Sequence, residues 1–327
     1  METFKSFTPD LYPTNDQAFE EIALRLFHFQ AEHNPVYKAY IALLGVVPDQ
    51  VRSLREIPFL PITLFKTHLV AAGHWAPELT FLSSGTTGQS VSRHAIPSVS
   101  FYNQHSQKLF EDVFGPLEQY HVFCLLPSYL ERTGSSLVAM ASHFITESRS
   151  PLSGFFLNDL ERLIEKIENV HDGRKGLLLG VTFALVDLAE QFDVDLGRSM
   201  VMETGGMKGR RPEIIREEVH EILMKNLRVD KVYSEYGMTE LMSQAYSMGS
   251  GLFRCPPSMR VFLKEINDPF STAEVTAGVI NIIDLANAHS CAFIETQDIG
   301  RMDHQGHFEV LGRIDASDAR GCNLLVE

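Results

Sequence analysis

The chain has 327 residues, 44% of them hydrophobic and 21% charged, with a formal net charge of −14 at pH 7. That is enough for one large domain or two smaller ones with a sizeable core. The acidic balance excludes a general nucleic-acid-binding or anionic-membrane surface and leaves only a local basic pocket open.

The opening METFKSFTPDLY lacks an apolar secretory core, and no uninterrupted apolar run is long enough to span a bilayer. Cysteines 124, 255, 291 and 322 are widely spaced and form no CxxC. Free thiols in a reducing cytoplasm are therefore expected. In chain order, residues 16–31 show a helical stripe of Phe19, Ile22, Ala23, Leu26 and Phe27. IPFLPITLFKTHLV, residues 57–70, predicts an extended entry into a short helix or strand, because prolines 58 and 61 resist helix. HVFCLL at 121–126 predicts a buried strand containing Cys124. Residues 158–169 predict a helix with Asn158 as N-cap, Glu161 three residues on, and a stripe of Leu160, Leu163, Ile164 and Ile167. Strands are expected at 176–181, 199–203 and 230–234. A Gly-rich turn after the second of these opens a helix, with Pro212 near its first turn. Residues 278–284 and 292–296 predict a hairpin. Alternating strands and helices give an α/β class with mainly parallel sheets flanked by helices. Ligands of such sheets sit beyond the carboxyl ends of the strands, where the unusual loops are expected.

Four stretches carry chemistry. In SSGTTGQ, residues 83–89, the small residues Ser83, Ser84, Gly85, Thr86, Thr87 and Gly88 can cradle a phosphate with backbone N–H and hydroxyl groups, or can form an ordinary turn. No GK[ST] closes the loop, so it is not a Walker A motif. In YSEYGMTEL, Tyr236 and Gly237 precede Thr239 and Glu240. Tyr236 can lay its ring on a planar base, Thr239 can donate to a phosphate oxygen, and Glu240 can hold Mg²⁺ together with substrate phosphate. The competing reading is a polar loop after a strand. In ETQDIGR, Asp298 can accept from ribose hydroxyls or be a solvated turn carboxylate. In LGRID, Arg313 can reach ribose or phosphate or form a surface ion pair.

Taken in this order and spacing, the four stretches resemble the adenylate-forming, acyl-CoA synthetase-like superfamily. SSGTTGQ resembles its phosphate loop, YGMTE its YGxTE motif, TQDIG its TGD motif and GRID its hinge. ETGGMKG, residues 203–209 with Gly205, Gly206 and Lys208, resembles its adenine-lining segment. FLPITLFKTH, LPSYLERTGSSL and GRIDASDARGCNLL narrow the resemblance to LuxE-type acyl-protein synthetases, from about residue 50 to the last residue. The resemblance implies ATP and Mg²⁺ as cofactors and a fatty or other carboxylic acid as substrate. It also implies acyl-AMP formation with release of pyrophosphate, and acyl transfer to Cys322 as a thioester. An acyl reductase or an acyl transferase is the implied downstream partner. It further implies a large domain over 1–311 and a hinge segment over 312–327 carrying Cys322, with the small C-terminal domain of the superfamily truncated. That domain's catalytic lysine then has no counterpart, and Lys208 and Arg313 are the candidate substitutes.

Weaker candidates remain. Tyr129 falls where relatives place a substrate-pocket loop. His143 can line an acyl pocket or be a satisfied core histidine. Cys255, His289 and Cys291 follow no known zinc-finger spacing, and buried structural cysteines are the favoured reading. Two other functions compete with the acyl-protein synthetase: an acyl- or aryl-CoA ligase of the phenylacetate type, and a non-catalytic nucleotide- or acyl-binding protein.

Overall fold

The computed structural model describes residues 3–84, 90–126, 134–205, 214–266 and 275–314. The chain divides into two compact units: residues 1–64, 70–73 and 257–327 form the first, and 65–69 with 74–256 the second. It opens in the first unit with α1 (Asp16–His33), α2 (Pro35–Leu43) and β1 (Leu60–Pro61), and the short α3 (Leu64–Thr67) follows. The second unit contains β2 (Leu79–Leu82), β3 (Arg93–Ile96), α4 (Val99–Phe114), β4 (Tyr120–Leu125), α5 (Ser136–Glu147), β5 (Gly154–Phe155) and α6 (Leu160–Glu168). It continues through β6 (Lys175–Val181), α7 (Thr182–Gln191), β7 (Ser199–Thr204), α8 (Arg216–Leu227), β8 (Val232–Tyr236), β9 (Ala245–Ser247) and β10 (Phe253–Arg254). The first unit closes with β11 (Met259–Lys264), β12 (Ala277–Asp284), β13 (Phe293–Met302) and β14 (Phe308–Arg313).

In the second unit β5, β4, β6, β7 and β8 run parallel, and β9 and β10 follow antiparallel. The crossovers from β6 to β7 and from β7 to β8 run through α7 and α8. β4 is buried at every position, as expected for a parallel strand covered on both faces. The predicted parallel character therefore belongs to this unit. In the first unit β11, β12, β13 and β14 are antiparallel, and only β1 runs parallel to β13.

The predicted hairpin is present as β12 and β13, and the N-terminal helix is present as α1. Three local expectations change. The helix predicted over 158–169 starts at Leu160, and its cap is Asp159, whose carboxylate accepts from Arg162 N at 3.2 Å. Asp159 and Asn158 are equally good caps by type, so tertiary placement decides between them. Helix α8 begins at Arg216, so Pro212 lies before it and outside the described residues. TQDIG is not a loop after a strand: it lies within β13, which pairs with β12 and β14. Asp has poor strand propensity, and its pairing with Arg313 of β14 overrides it, while residues 296–298 fall at the register irregularity against β12.

The core of the first unit centres on Phe27, Tyr37 and Phe293. Tyr37 stacks on Phe293 with ring centroids 5.9 Å apart, and Phe27 meets both rings edge-on. Two buried amides hook the helices to the turn between β12 and β13. Gln30 donates to Asn287 O and Ala288 O and accepts from Ala292 N. Asn34 donates to Ser290 O at 2.8 Å and accepts from Val36 N and Tyr37 N at the start of α2. Asn34 is fully buried, so truncation leaves a carbonyl and two N–H groups without their partner. Asn34→Ala is expected to lower stability by about 2–3 kcal/mol, the sum of a lost cap and a lost buried hydrogen bond. Urea unfolding checks this, and a midpoint equal to wild type would contradict it.

Candidate functional site

Among the described candidate residues of the second unit, Ser83 and Ser84 lie on its hairpin, Gly205, Tyr236, Gly237, Thr239 and Glu240 at the carboxyl ends of β7 and β8, and His143 on α5. β2 and β3 form an antiparallel hairpin outside the parallel sheet. Ser83 closes its mouth: its N–H donates to Ser92 O at 3.1 Å, and its hydroxyl accepts from Ser92 N at 2.9 Å. Ser84 is exposed beyond that clasp. Gly85, Thr86, Thr87 and Gly88 lie outside the described residues, as do Tyr129, Gly206, Lys208 and Cys322.

YGMTE leaves β8 as expected. Tyr236 is the last residue of the strand, Gly237 is exposed, Thr239 is half-buried and Glu240 is buried. Tyr236 is 7% exposed, and its ring packs against Phe253 with centroids 5.7 Å apart. The fully buried His94 of β3 donates Nδ1–H to Thr239 O at 2.8 Å. One imidazole thus ties the hairpin carrying SSGTTGQ to the loop carrying Thr239 and Glu240. Phe65 also packs on this imidazole, edge to face, with ring centroids 5.8 Å apart. His105 of α4 adds a second tie, with Nε2 2.9 Å from Ser243 Oγ and the ring stacked on Phe101. Glu240 alone offers a carboxylate to a divalent cation in this loop. That donor set fits Mg²⁺, which takes one or two protein carboxylates and completes its shell with phosphate oxygens and water.

ETGG leaves β7 beside a buried ionic network. Glu203 is 2% exposed. One carboxylate oxygen accepts from Thr182 Oγ1 at 3.0 Å, and the other accepts from Arg216 Nε at 3.1 Å and lies 3.8 Å from His220 Nε2. Burial pushes the Glu203 carboxyl up, but His220, Arg216 and Ser234 together outweigh it, so it stays below the ordinary carboxylate value. The next residue, Thr204, hydrogen-bonds the buried Glu235 of β8. Gly205 then turns the chain at φ 74°, in the left-handed region that favours glycine.

Asp298 and Arg313 belong to the first unit. They face each other across β13 and β14, 3.9 Å apart, with side chains 14% and 59% exposed. A half-exposed pair at that distance adds little stability. Thr296 and Gln297, just before Asp298, border a cavity of about 260 Å³ together with Lys264, Glu295 and Ile314.

The weaker candidates have ordinary partners. His143 Nε2 lies 2.8 Å from Gln107 Oε1, and partial burial lowers its pKa, opposed by Glu147 and Glu111. Cys124 and Cys291 are buried, and burial pushes the Cys291 thiol up to about 12. No group of three metal-binding side chains occurs among the described residues, and no helix among them is long and apolar enough to cross a membrane. Sequence reasoning missed His94, His105 and Arg216, which a sequence shows only as scattered polar residues on strands and helices, and it gave Glu203 no role of its own within ETGGMKG.

No family model matches the chain, and no curated protein matches it. Solved structures do. An open conformation of 2-hydroxyisobutyryl-CoA ligase in complex with 2-HIB-AMP and CoA has a TM-score of 0.65 at 16% identity, over 94% of this chain and 78% of that one. The same ligase in its thioesterification state has a TM-score of 0.66 at 15% identity, over 94% and 71%. ATP-bound MatB from Rhodopseudomonas palustris has a TM-score of 0.54 at 17% identity, over 73% of this chain and 49% of that one. The chain therefore has the mixed α/β fold of adenylate-forming ligases.

The tie through His105 carries a pH dependence. Burial, with a smaller contribution from Lys108, depresses the His105 pKa from its usual 6.5 to about 4. Between those values the unfolded chain binds the proton and the folded chain does not, so stability falls as the pH is lowered through that window. The loss reaches roughly 2–4 kcal/mol near pH 4. His105→Gln keeps a hydrogen-bonding group opposite Ser243 and does not titrate. Its stability curve is expected to be flatter than wild type between pH 6.5 and 4. Parallel curves in denaturant titrations across that range would contradict the assignment.

Proposed function

We propose that the protein activates a carboxylic acid with ATP, forming acyl-AMP and pyrophosphate, and then transfers the acyl group to its own Cys322. The observation that carries the first step is the His94 tie. It fixes strand β3, which follows the hydroxyl- and glycine-rich stretch in sequence, to a loop carrying a threonine hydroxyl and a buried carboxylate, and the fold matches ligases solved with acyl-AMP and ATP. In this reading the 83–89 loop and Thr239 hold the β- and γ-phosphates while the substrate carboxylate attacks the α-phosphorus. Adenylation turns a poor acyl donor into one with a good leaving group. Glu240 would hold Mg²⁺, which supplies positive charge where phosphate charge grows. Tyr236 would lie against the base, and Gly205 and Gly206 would line it. In the first unit Asp298 would accept from the ribose hydroxyls and Arg313 would reach ribose or phosphate. Lys208 or Arg313 would supply the second cation.

In the second step a thiolate at Cys322 attacks the acyl carbonyl. The new C–S bond forms as the C–O bond to phosphate breaks, and AMP leaves with that electron pair. GRID would act as the hinge, and residues 312–327 would carry the thiol between the two positions. A fatty acid is the substrate class and an acyl reductase or acyl transferase the acceptor, as in LuxE-type synthetases. The second reading is a CoA ligase. It is favoured by the two 2-hydroxyisobutyryl-CoA ligase structures, both solved with CoA.

Two outcomes test these steps. With ATP, Mg²⁺ and a fatty acid, wild type is expected to release pyrophosphate, and Glu240→Gln to release it about a hundredfold or more slowly. Equal rates in the two proteins would remove Glu240 from the chemistry. Radiolabelled fatty acid with ATP is expected to label the protein itself, with the label released by neutral hydroxylamine. Cys322→Ser is expected to keep pyrophosphate release and lose the label. An unlabelled wild type that acylates free CoA instead would establish the second reading.

A further inference from the structure

Arg216, the first residue of α8, touches one segment assigned to the base of the nucleotide at Glu203 and reaches the other, at Tyr236, through Phe253. Its Nε donates to Glu203 Oε1 at 3.1 Å, and this carboxylate is on the next-to-last residue of β7, before Thr204 and the turn at Gly205. Its guanidinium carbon also lies 5.1 Å from the centroid of the fully buried Phe253 ring. On that ring Tyr236 packs in turn, at 5.7 Å and 55°. The Arg216 stem runs close to Gly251, where an added Cβ would stand 3.4 Å from Arg216 Cδ. The side chain itself is 21% exposed. A guanidinium is planar and permanently charged, so it can give its edge to a carboxylate and its face to a ring at once; an ammonium cannot reproduce both contacts.

We infer that Arg216 is a positioning residue for nucleotide-base recognition, setting Gly205 through Glu203 and the Tyr236 ring through Phe253. This rests on the nucleotide reading of the site. A group that orders the base-contacting elements and stays away from the phosphates contributes equally before and during the chemical step. Its loss therefore raises KM for ATP and leaves kcat in place. It also weakens discrimination between bases, which a uniform loss of folding does not do.

The test compares wild type, Arg216→Lys, the pair Glu203→Gln/Arg216→Met, and Phe253→Leu. The pair avoids stranding a buried carboxylate, and Phe253→Leu keeps the ion pair while removing the ring behind Tyr236. Pyrophosphate release is measured with ATP and with GTP, and binding of each nucleotide by equilibrium dialysis. In the three variants KM for ATP is expected to rise about tenfold with kcat within about threefold, and the preference for ATP over GTP to shrink. Unchanged KM and base preference in all three would overturn the inference, as would a fall in kcat at fixed KM. A wild type that binds ATP over GTP but releases no pyrophosphate overturns the proposed reaction alone, and dialysis of the variants then decides the role of Arg216. A wild type that binds neither nucleotide overturns both.

Discussion

A buried negative charge organises the carboxyl edge of the parallel sheet. Glu203 is nearly inaccessible to water, and an unpaired carboxylate there would cost several kcal/mol. Its partners come from three places: Thr182 at the start of α7, Arg216 at the start of α8 and His220 one turn further along α8. The charge is thus affordable only when both crossover helices begin where they do. Thr204, the following residue, carries the linkage to Glu235 on β8. Parallel neighbours share no hairpin, so backbone ladders align them but leave their ends free. Side-chain ties between the ends of β7 and β8 take over that function.

A different device holds the phosphate-loop candidate. Two strands alone are marginal in water, and among the described residues β2 and β3 pair only with each other. The hairpin persists through contacts made elsewhere in the second unit. Phe81 packs edge-on against Tyr102 at 4.9 Å, Leu82 N donates to Gly134 O at 2.7 Å, and His94 reaches Thr239 O. Gly134 accommodates this approach at φ 83°, where a Cβ would stand 3.2 Å from Thr80 O.

What the sequence made legible was periodic or short-range. The stripe from Phe19 to Phe27 marked α1, the continuous apolar run at 121–126 marked β4, and β7 and β8 were found with the motif loops behind them. Buried polar residues were not legible. Gln30, Asn34, His94, His105 and Glu203 are polar by type, and their burial is set by partners up to 262 residues away, as for Gln30 and Ala292. Neither helical nor strand periodicity encodes such a partner. The exchange of Asp159 for Asn158 as a cap has the same origin on a smaller scale, since two adjacent residues satisfy one local rule and tertiary position selects between them.

TQDIG shows how a motif can mark a position while its residue types mislead about conformation. Gly300 reads as a turn residue. In β13 it serves close approach: a Cβ there would stand 2.7 Å from both Glu309 O and Ile280 Cδ1. The pairing of β13 with β14 shifts register between Ile299 and Gly300, and that of β12 with β13 shifts between Val279 and Asn281. A one-residue shift reassigns which side chains share a face, and such irregularities re-aim side chains within an otherwise continuous strand. Asp298 lies just before the first shift, opposite Arg313, with its backbone N–H held by Thr296 Oγ1 at 3.0 Å. A residue paired with β14, whose neighbour Thr296 also donates to Ile280 O of β12 at 2.7 Å, holds its carboxylate more firmly than a loop of the same composition would.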